Sequence, residues 1–240
     1  MLTRYLPVFI VLSFIAEIIG TIGGFGSSVF FVPVANFFFD FQSVLGITAL
    51  YHLSSNLSKI VLFKKGIDKK IIVSLGIPAV IFVSIGAYLS KYFDPKILTY
   101  FLGFFLISLS LVFLIFKHLH IQPKTKNAIV GGSLSGLSAG LLGTGGAIRG
   151  ITLAAFRMNK DKFIATSAVI DMAVDSSRTV VYYLNGYMHK HDMYLVPILI
   201  AVSIIGTYIG KRILTRVSQE QFRNFVLILI LLIGIISVIS

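Results

Sequence analysis

Cysteine is absent from this 240-residue chain, and acidic residues are scarce, with nine Asp and Glu against 21 Lys and Arg. The first absence excludes disulfides, thiolate metal sites and cysteine nucleophiles. Charge of either sign is thin: only 12% of residues are Asp, Glu, Lys or Arg, about half of the roughly 25% carried by soluble domains. With 56% hydrophobic residues and a mean hydropathy of +0.93, a water-soluble globule is ruled out. No GxGxxG follows a strand-like run, so a dinucleotide loop is excluded as well.

Apolar runs fill the chain instead, among them Ile97 to Phe116, Pro197 to Gly210 and Phe225 to Ile239. Continuous runs predict an all-α, polytopic helical membrane protein, since a transmembrane β-barrel would show two-residue alternation. Met1 to Gly20 carries only Arg4 before its apolar stretch and no Ala-x-Ala-like site before Gly23. A transmembrane segment is therefore expected there rather than a cleaved signal peptide.

The second half repeats the first. At an offset of 119, Gly24-Phe25-Gly26 falls on Gly143-Thr144-Gly145, His52 on Asp171, Asn56 on Asp175, Lys59 on Arg178 and Pro78 on Pro197. One inserted residue then aligns Gly66 with Gly186 and Gly86-Ala87-Tyr88 with Gly206-Thr207-Tyr208. This predicts two repeats, 1–120 and 121–240, of five hydrophobic segments each. The second segment of each, Phe25 to Phe38 and Ala147 to Phe156, is too short for a span of about 20 residues and follows a glycine cluster. It is expected to be a broken or half-helix.

A formal net charge of +12 would suggest nucleic acid as the partner of a soluble protein. Here the cations sort by loop. Fourteen of the 21 fall in one set of connections: Lys64, Lys65, Lys69, Lys70, Lys117, Lys124, Lys126, Arg157, Lys160, Lys162, Lys211, Arg212, Arg216 and Arg223. Arg4, Lys91, Lys96 and Lys190 lie on the other side. The positive-inside rule assigns the richer set to the cytoplasm and both termini to the outside. Five segments per half then give inverted topology, an architecture that secondary transporters use around a midplane site. No nucleic-acid partner is expected.

Three cations remain inside apolar segments, Lys59, Arg149 and Arg178, together with three acids, Glu17, Asp171 and Asp175. Charges at that depth are costly and normally paired, which marks them as functional candidates. His52, Asn56 and Lys59 stand at i, i+4 and i+7, as do Asp171, Asp175 and Arg178, so each trio lines one helix face. Asp175 and Arg178 are placed to pair at i, i+3. Lys59 and Arg178 also lie near enough to a segment end to snorkel. Arg149 is the sharper binding candidate, with a salt bridge to Asp171 or Glu17 as its ordinary alternative.

The glycine clusters are expected to leave backbone amides and positive half-helix ends aimed at mid-membrane, an anion site. Close helix packing is the plainer role for glycines, as in Gly132, Gly136 and Gly140 or Gly206 and Gly210. The candidate binding set is Gly24, Gly26, Ser27, Ser28, Asn56, Lys59, Gly143, Thr144, Gly145, Gly146, Arg149, Asp175 and Arg178, with Tyr51 as a further donor. Because the buried charges balance, an arriving anion must displace a carboxylate or a carboxylate must take a proton. Glu17, His52 and Asp171 are the proton-coupling candidates. His118, His120, His189 and His191 are expected as solvated loop residues. No metal and no cofactor is expected.

The glycine cluster before a short segment, Asn56-x-x-Lys59 and Asp175-x-x-Arg178, the Gly66 and Gly186 turns and the duplication together resemble the TauE/SafE sulfite-exporter family of membrane permeases, from about Phe14 to Ser240. The resemblance implies transport of small anions, chiefly sulfur-containing ones such as sulfite and sulfonates, across a bacterial inner membrane. Arg149 in the second half-helix, and Thr152 where the first half has Pro33, depart from the usual pattern. The lack of cysteine excludes a thiol relay of a sulfur compound. The expected function is thus a secondary transporter of small anions in the lipid bilayer, with protons as a candidate coupling ion. A passive anion channel, and an intramembrane hydrolase using Ser27 or Ser28 with His52, stay open as alternatives.

Overall fold

The computed structural model describes residues 2–24, 26–63, 66–116, 122–214 and 219–239. Phe25, Lys64, Lys65, Lys117, His118, His120 and Arg216 lie outside the described residues, as do the side chains of Arg4 and Arg223. Every described element is helical: α1 (Leu2–Gly23), α2 (Ser28–Asn36), α3 (Phe41–Leu62), α4 (Lys69–Ile71), α5 (Ile77–Leu89), α6 (Pro95–Ile115), α7 (Thr125–Leu142), α8 (Gly146–Ala154), α9 (Lys160–Leu184), α10 (Leu195–Leu214) and α11 (Gln219–Ile239). A π-helical stretch, Ile72–Gly76, joins α4 to α5 in one continuous rod.

Four of these segments are long and apolar enough to cross a membrane: Tyr5–Gly23, Lys69–Tyr92, Pro95–Val112 and Leu195–Leu214. Their outward faces carry apolar residues at helical spacing, as at Val73, Ile77, Ile81 and Ile85, all more than two-fifths exposed. In water such a stripe would drive association; against lipid it needs no partner. The more polar α3 and α9 pack on each other and are flanked by α10 and α5. That placement lets a chain this apolar carry buried ionisable groups, because they face protein rather than lipid.

Both short helices fold back on the helix before them. Phe9, early in α1, packs on Phe31 of α2 at 5.9 Å between ring centres and on Phe38 and Phe39 just beyond it at 5.4 and 5.1 Å. Gly131, early in α7, lies against Thr152, late in α8. Each pair is therefore a re-entrant hairpin with its turn at a glycine cluster. Gly24 and Gly26 take φ of +72° and +89°, and Gly143 ends α7 at φ +74°. This left-handed conformation is open to glycine and strained for other residues.

Long helices pair through small residues. α7 lays Gly132, Gly136 and Gly140 on the backbone of Leu75, Ala79 and Val83, so closely that a β-carbon at any of them would strike a carbonyl oxygen. On the other side, α10 lays Gly206 and Gly210 on Glu17 and Thr21 of α1. α6 and α11 pack on each other. One end of the bundle gathers Lys69, Lys70, Lys162, Lys211 and Arg212 around linked loops, with Lys211 donating to the Leu62 carbonyl at 2.6 Å and Lys162 paired with Asp68 at 2.9 Å. At the opposite end Ser43 meets His189, and Ser90 meets Tyr187.

Candidate functional site

The two hairpin turns meet at the centre of the bundle, where the Thr144 hydroxyl donates to Ser28 at 3.3 Å. Helices α3, α6 and α9 begin with the side chains of Asp40, Asp94 and Asn159 accepting from first-turn amides. The half-helices do not. Gly145 precedes α8 with no side chain to offer, and Ser27 precedes α2 but turns its hydroxyl to Glu17 at 2.6 Å. Two helix N-termini thus reach the interior without a side-chain cap, with their dipoles' positive ends inward.

Carbonyls freed by the second break are held by side chains. Ser135 and Ser138 donate to the Gly145 and Thr144 carbonyls at 2.8 and 2.5 Å, and Arg178 Nη1 donates to Gly143 at 2.8 Å. Tyr182 caps Gly140 at 2.7 Å. The break is fixed rather than frayed, so its amides keep one direction.

Between the hairpins lies a polar cavity lined by Gly26, Ser28, His52, Gly143, Gly145, Gly146, Arg149, Asp171, Asp175 and Arg178. A neighbouring one is lined by Gly24, Gly26, Lys59, Ser167 and Asp171. Each holds about 10 Å³, space for one water-sized body. Most of the residues singled out from the sequence therefore converge.

Three ion pairs account for the six charged side chains inside the apolar segments. Arg149 pairs with Asp171 at 2.5 Å, Arg178 with Asp175 at 2.7 Å and Lys59 with Glu17 at 3.0 Å. Lys59 and Arg178 do not snorkel; they are 4% and 2% exposed. Only the i, i+3 pair was readable along a single helix. Arg149 also spends its Nε on Ser167 at 3.1 Å, while Arg178 Nε is buried without a partner among the described residues.

Several expected donors are already engaged. Asn56 donates to Asp175 at 2.6 Å, Ser27 to Glu17, and Tyr51 to the Ser13 carbonyl at 3.2 Å. Glu17 is the most heavily hydrogen-bonded of these acids, accepting from Thr21, Ser27, Ser55 and Thr207 at 3.2, 2.6, 2.6 and 2.9 Å in addition to its pairing with Lys59. Ser55, Thr207 and Ser167 were missed by sequence reasoning. Ser55 and Ser167 stand four residues before Lys59 and Asp171 on the same faces, a spacing that could have found them. Thr207 bonds across helices, where no local pattern reports.

Ser27 Oγ lies 3.4 Å from His52 Nε2, but its proton is directed at Glu17. The serine is not activated by the histidine, so the pair is no hydrolytic dyad.

The family model for the sulfite exporter TauE/SafE matches residues 9–236. A probable membrane transporter protein of Methanocaldococcus jannaschii is 26% identical over 243 aligned positions, covering 91% of this chain and 90% of that protein. No solved structure matches. With apolar spanning helices, a charged but internally paired centre and a family match over nearly its whole length, the chain is an integral membrane protein and a transporter, and belongs to the sulfite exporter TauE/SafE family.

Proposed function

We propose that the protein moves a small anion, a sulfur-containing oxyanion or organosulfonate, by alternating access around the cavity between the two hairpins. One observation carries the reading: two buried arginines, each on its own aspartate, share a cavity with two uncapped half-helix N-termini. Free amides and dipole ends favour an anion, and a guanidinium fork suits the paired oxygens of a tetrahedral oxyanion. The unpartnered Arg178 Nε supplies a donor that needs no bond broken.

Charge balance dictates the coupling. An anion that takes Arg149 from Asp171 leaves that carboxylate without its cation, and a proton arriving with the anion would restore the balance of charge. We assign the coupling proton to Asp171, which holds one cation; Glu17, with four hydroxyls and an ammonium, has the least need of one. A cavity of about 10 Å³ is too small for an oxyanion, so entry requires the hairpins to part.

Halves 1–120 and 121–240 are read as inverted repeats with the cation-rich end in the cytoplasm of a bacterial inner membrane. Two things support the repeat itself. Asn56 and Asp175, equivalent residues 119 apart, hydrogen-bond each other, as equivalents beside a two-fold axis would. The pairing of α1 with α10 mirrors that of α7 with α5.

Counterflow in proteoliposomes loaded with sulfite, sulfate, thiosulfate, sulfonates or short carboxylates tests the proposal. Exchange stimulated from the opposite side is expected for one of the sulfur anions, and its loss in an Arg149→Ala variant that inserts normally. Conductance without such stimulation would mean a passive channel, and unchanged exchange in Arg149→Ala would remove that residue.

A further inference from the structure

We propose that the turn between α9 and α10 carries a divalent transition-metal site, of the class that takes Zn²⁺, built from His189, His191 and Asp192. The three side chains present ligand atoms all within 4.8 Å of one another. His189 Nδ1 lies 3.8 Å from Asp192 Oδ2 and His191 Nε2 lies 3.5 Å from Asp192 Oδ1. The imidazole rings are parallel, 5.3 Å between centres and 5° apart in plane, so both turn nitrogens toward one carboxylate.

The carboxylate is the second observation. Asp192 is 2% exposed and its Oδ2 has no hydrogen-bond partner among the described residues. A buried acceptor left in that state loses its hydration without compensation, a rare condition that calls for an ion or a donor. A cation at this point satisfies it.

Donor chemistry and geometry select the metal. Two imidazoles and a carboxylate make a zinc-type set that leaves a coordination position open. Tetrahedral ligands at about 2.0–2.1 Å lie roughly 3.3 Å from one another, close to the 3.5 and 3.8 Å found here. The remaining edge closes by rotation of His191, which is 73% exposed in its side chain. Ser43 holds His189 Nδ1 at 2.7 Å and gives way there to the metal. Asp40, whose side chain accepts from the Ser43 amide, adds a carboxylate at the same edge. The ion would tie the α9–α10 turn to the start of α3, a role separate from the anion site at the centre.

The test uses the tag-free full chain in detergent, with Zn²⁺ titrated against a chromogenic chelator and melting followed with and without the metal. One Zn²⁺ per chain is expected, at low micromolar affinity or tighter, with a rise in melting temperature. His191→Ala, at an exposed position, should melt like the wild type in chelator and bind more weakly by over the roughly tenfold that loss of a supporting residue brings. His189→Ala should do likewise, whereas His118→Ala with His120→Ala should bind as the wild type. No saturable Zn²⁺ in the wild type, undiminished binding in both His189→Ala and His191→Ala, or loss of binding in the His118 and His120 variant would overturn the proposal.

Discussion

Lys59, Arg149 and Arg178 each sit in the interior on a carboxylate of their own, and the energetics of such pairs are asymmetric. The intact pair contributes little beyond offsetting desolvation, yet removing one partner costs about 3–5 kcal/mol because the other charge stays buried. Glu17→Gln is therefore expected to destabilise the protein by about that amount, read from denaturant or thermal unfolding in detergent, and adding Lys59→Met should recover much of the loss. Asp171→Asn tests a different property. It should keep counterflow while losing the dependence of transport on pH, and a pH dependence equal to the wild type would remove Asp171 as the coupling group. The Asp175–Arg178 pair was legible because its members share a helix face. Lys59–Glu17 and Arg149–Asp171 join different helices, and sequence spacing could mark each charge as needing a partner without choosing among the acids.

At the scale of elements, the half-helices were legible from glycine clusters placed alike in both halves, but their direction was not. A nine-residue helix after a break can continue or return, and Phe9 against Phe31, Phe38 and Phe39 decides for return. The glycine pattern of α7 was legible as close packing, and its partner on α5 was not, since any helix with a smooth face would serve. Gly136→Ala should cost about 1–3 kcal/mol by overpacking, because its β-carbon meets the Ala79 carbonyl; unfolding measurements would show it. Asp68 joins two elements by accepting from Ile71 at the start of α4 and pairing with Lys162 of α9. The hydrogen bond from Lys162, above all, holds its carboxyl below the usual carboxylate range. A depressed value means the link is complete at neutral pH and fails only as pH falls through that lowered value. Accessibility of this end to a water-soluble probe should be flat from about pH 8 to 5, and Asp68→Asn should raise it at neutral pH.

For the whole molecule, the apolar outward faces of the spanning helices were legible from composition, because they are set by the bilayer rather than by internal contacts. The absence of cysteine makes the molecule its own background for engineered cross-links. Cysteines introduced at Asp68 and Lys162, bridged by a short cleavable bis-thiol reagent that spans the gap of the lost ion pair, should halt transport, and a reductant should restore it. Transport that persists with the link closed would show that these loops need not separate.

The two close helix pairings differ in what holds them. α7 rests on α5 through bare glycine surface, with neighbouring carbonyls close by, whereas α10 rests on α1 beside Glu17, where Thr207 donates to the carboxylate. Substitution of a glycine obstructs the first contact, whereas loss of the Thr207 hydroxyl loosens the second. The two contacts are thus unequal in kind: one rests on backbone approach at glycine, and the other is fixed by a hydrogen bond to a buried carboxylate.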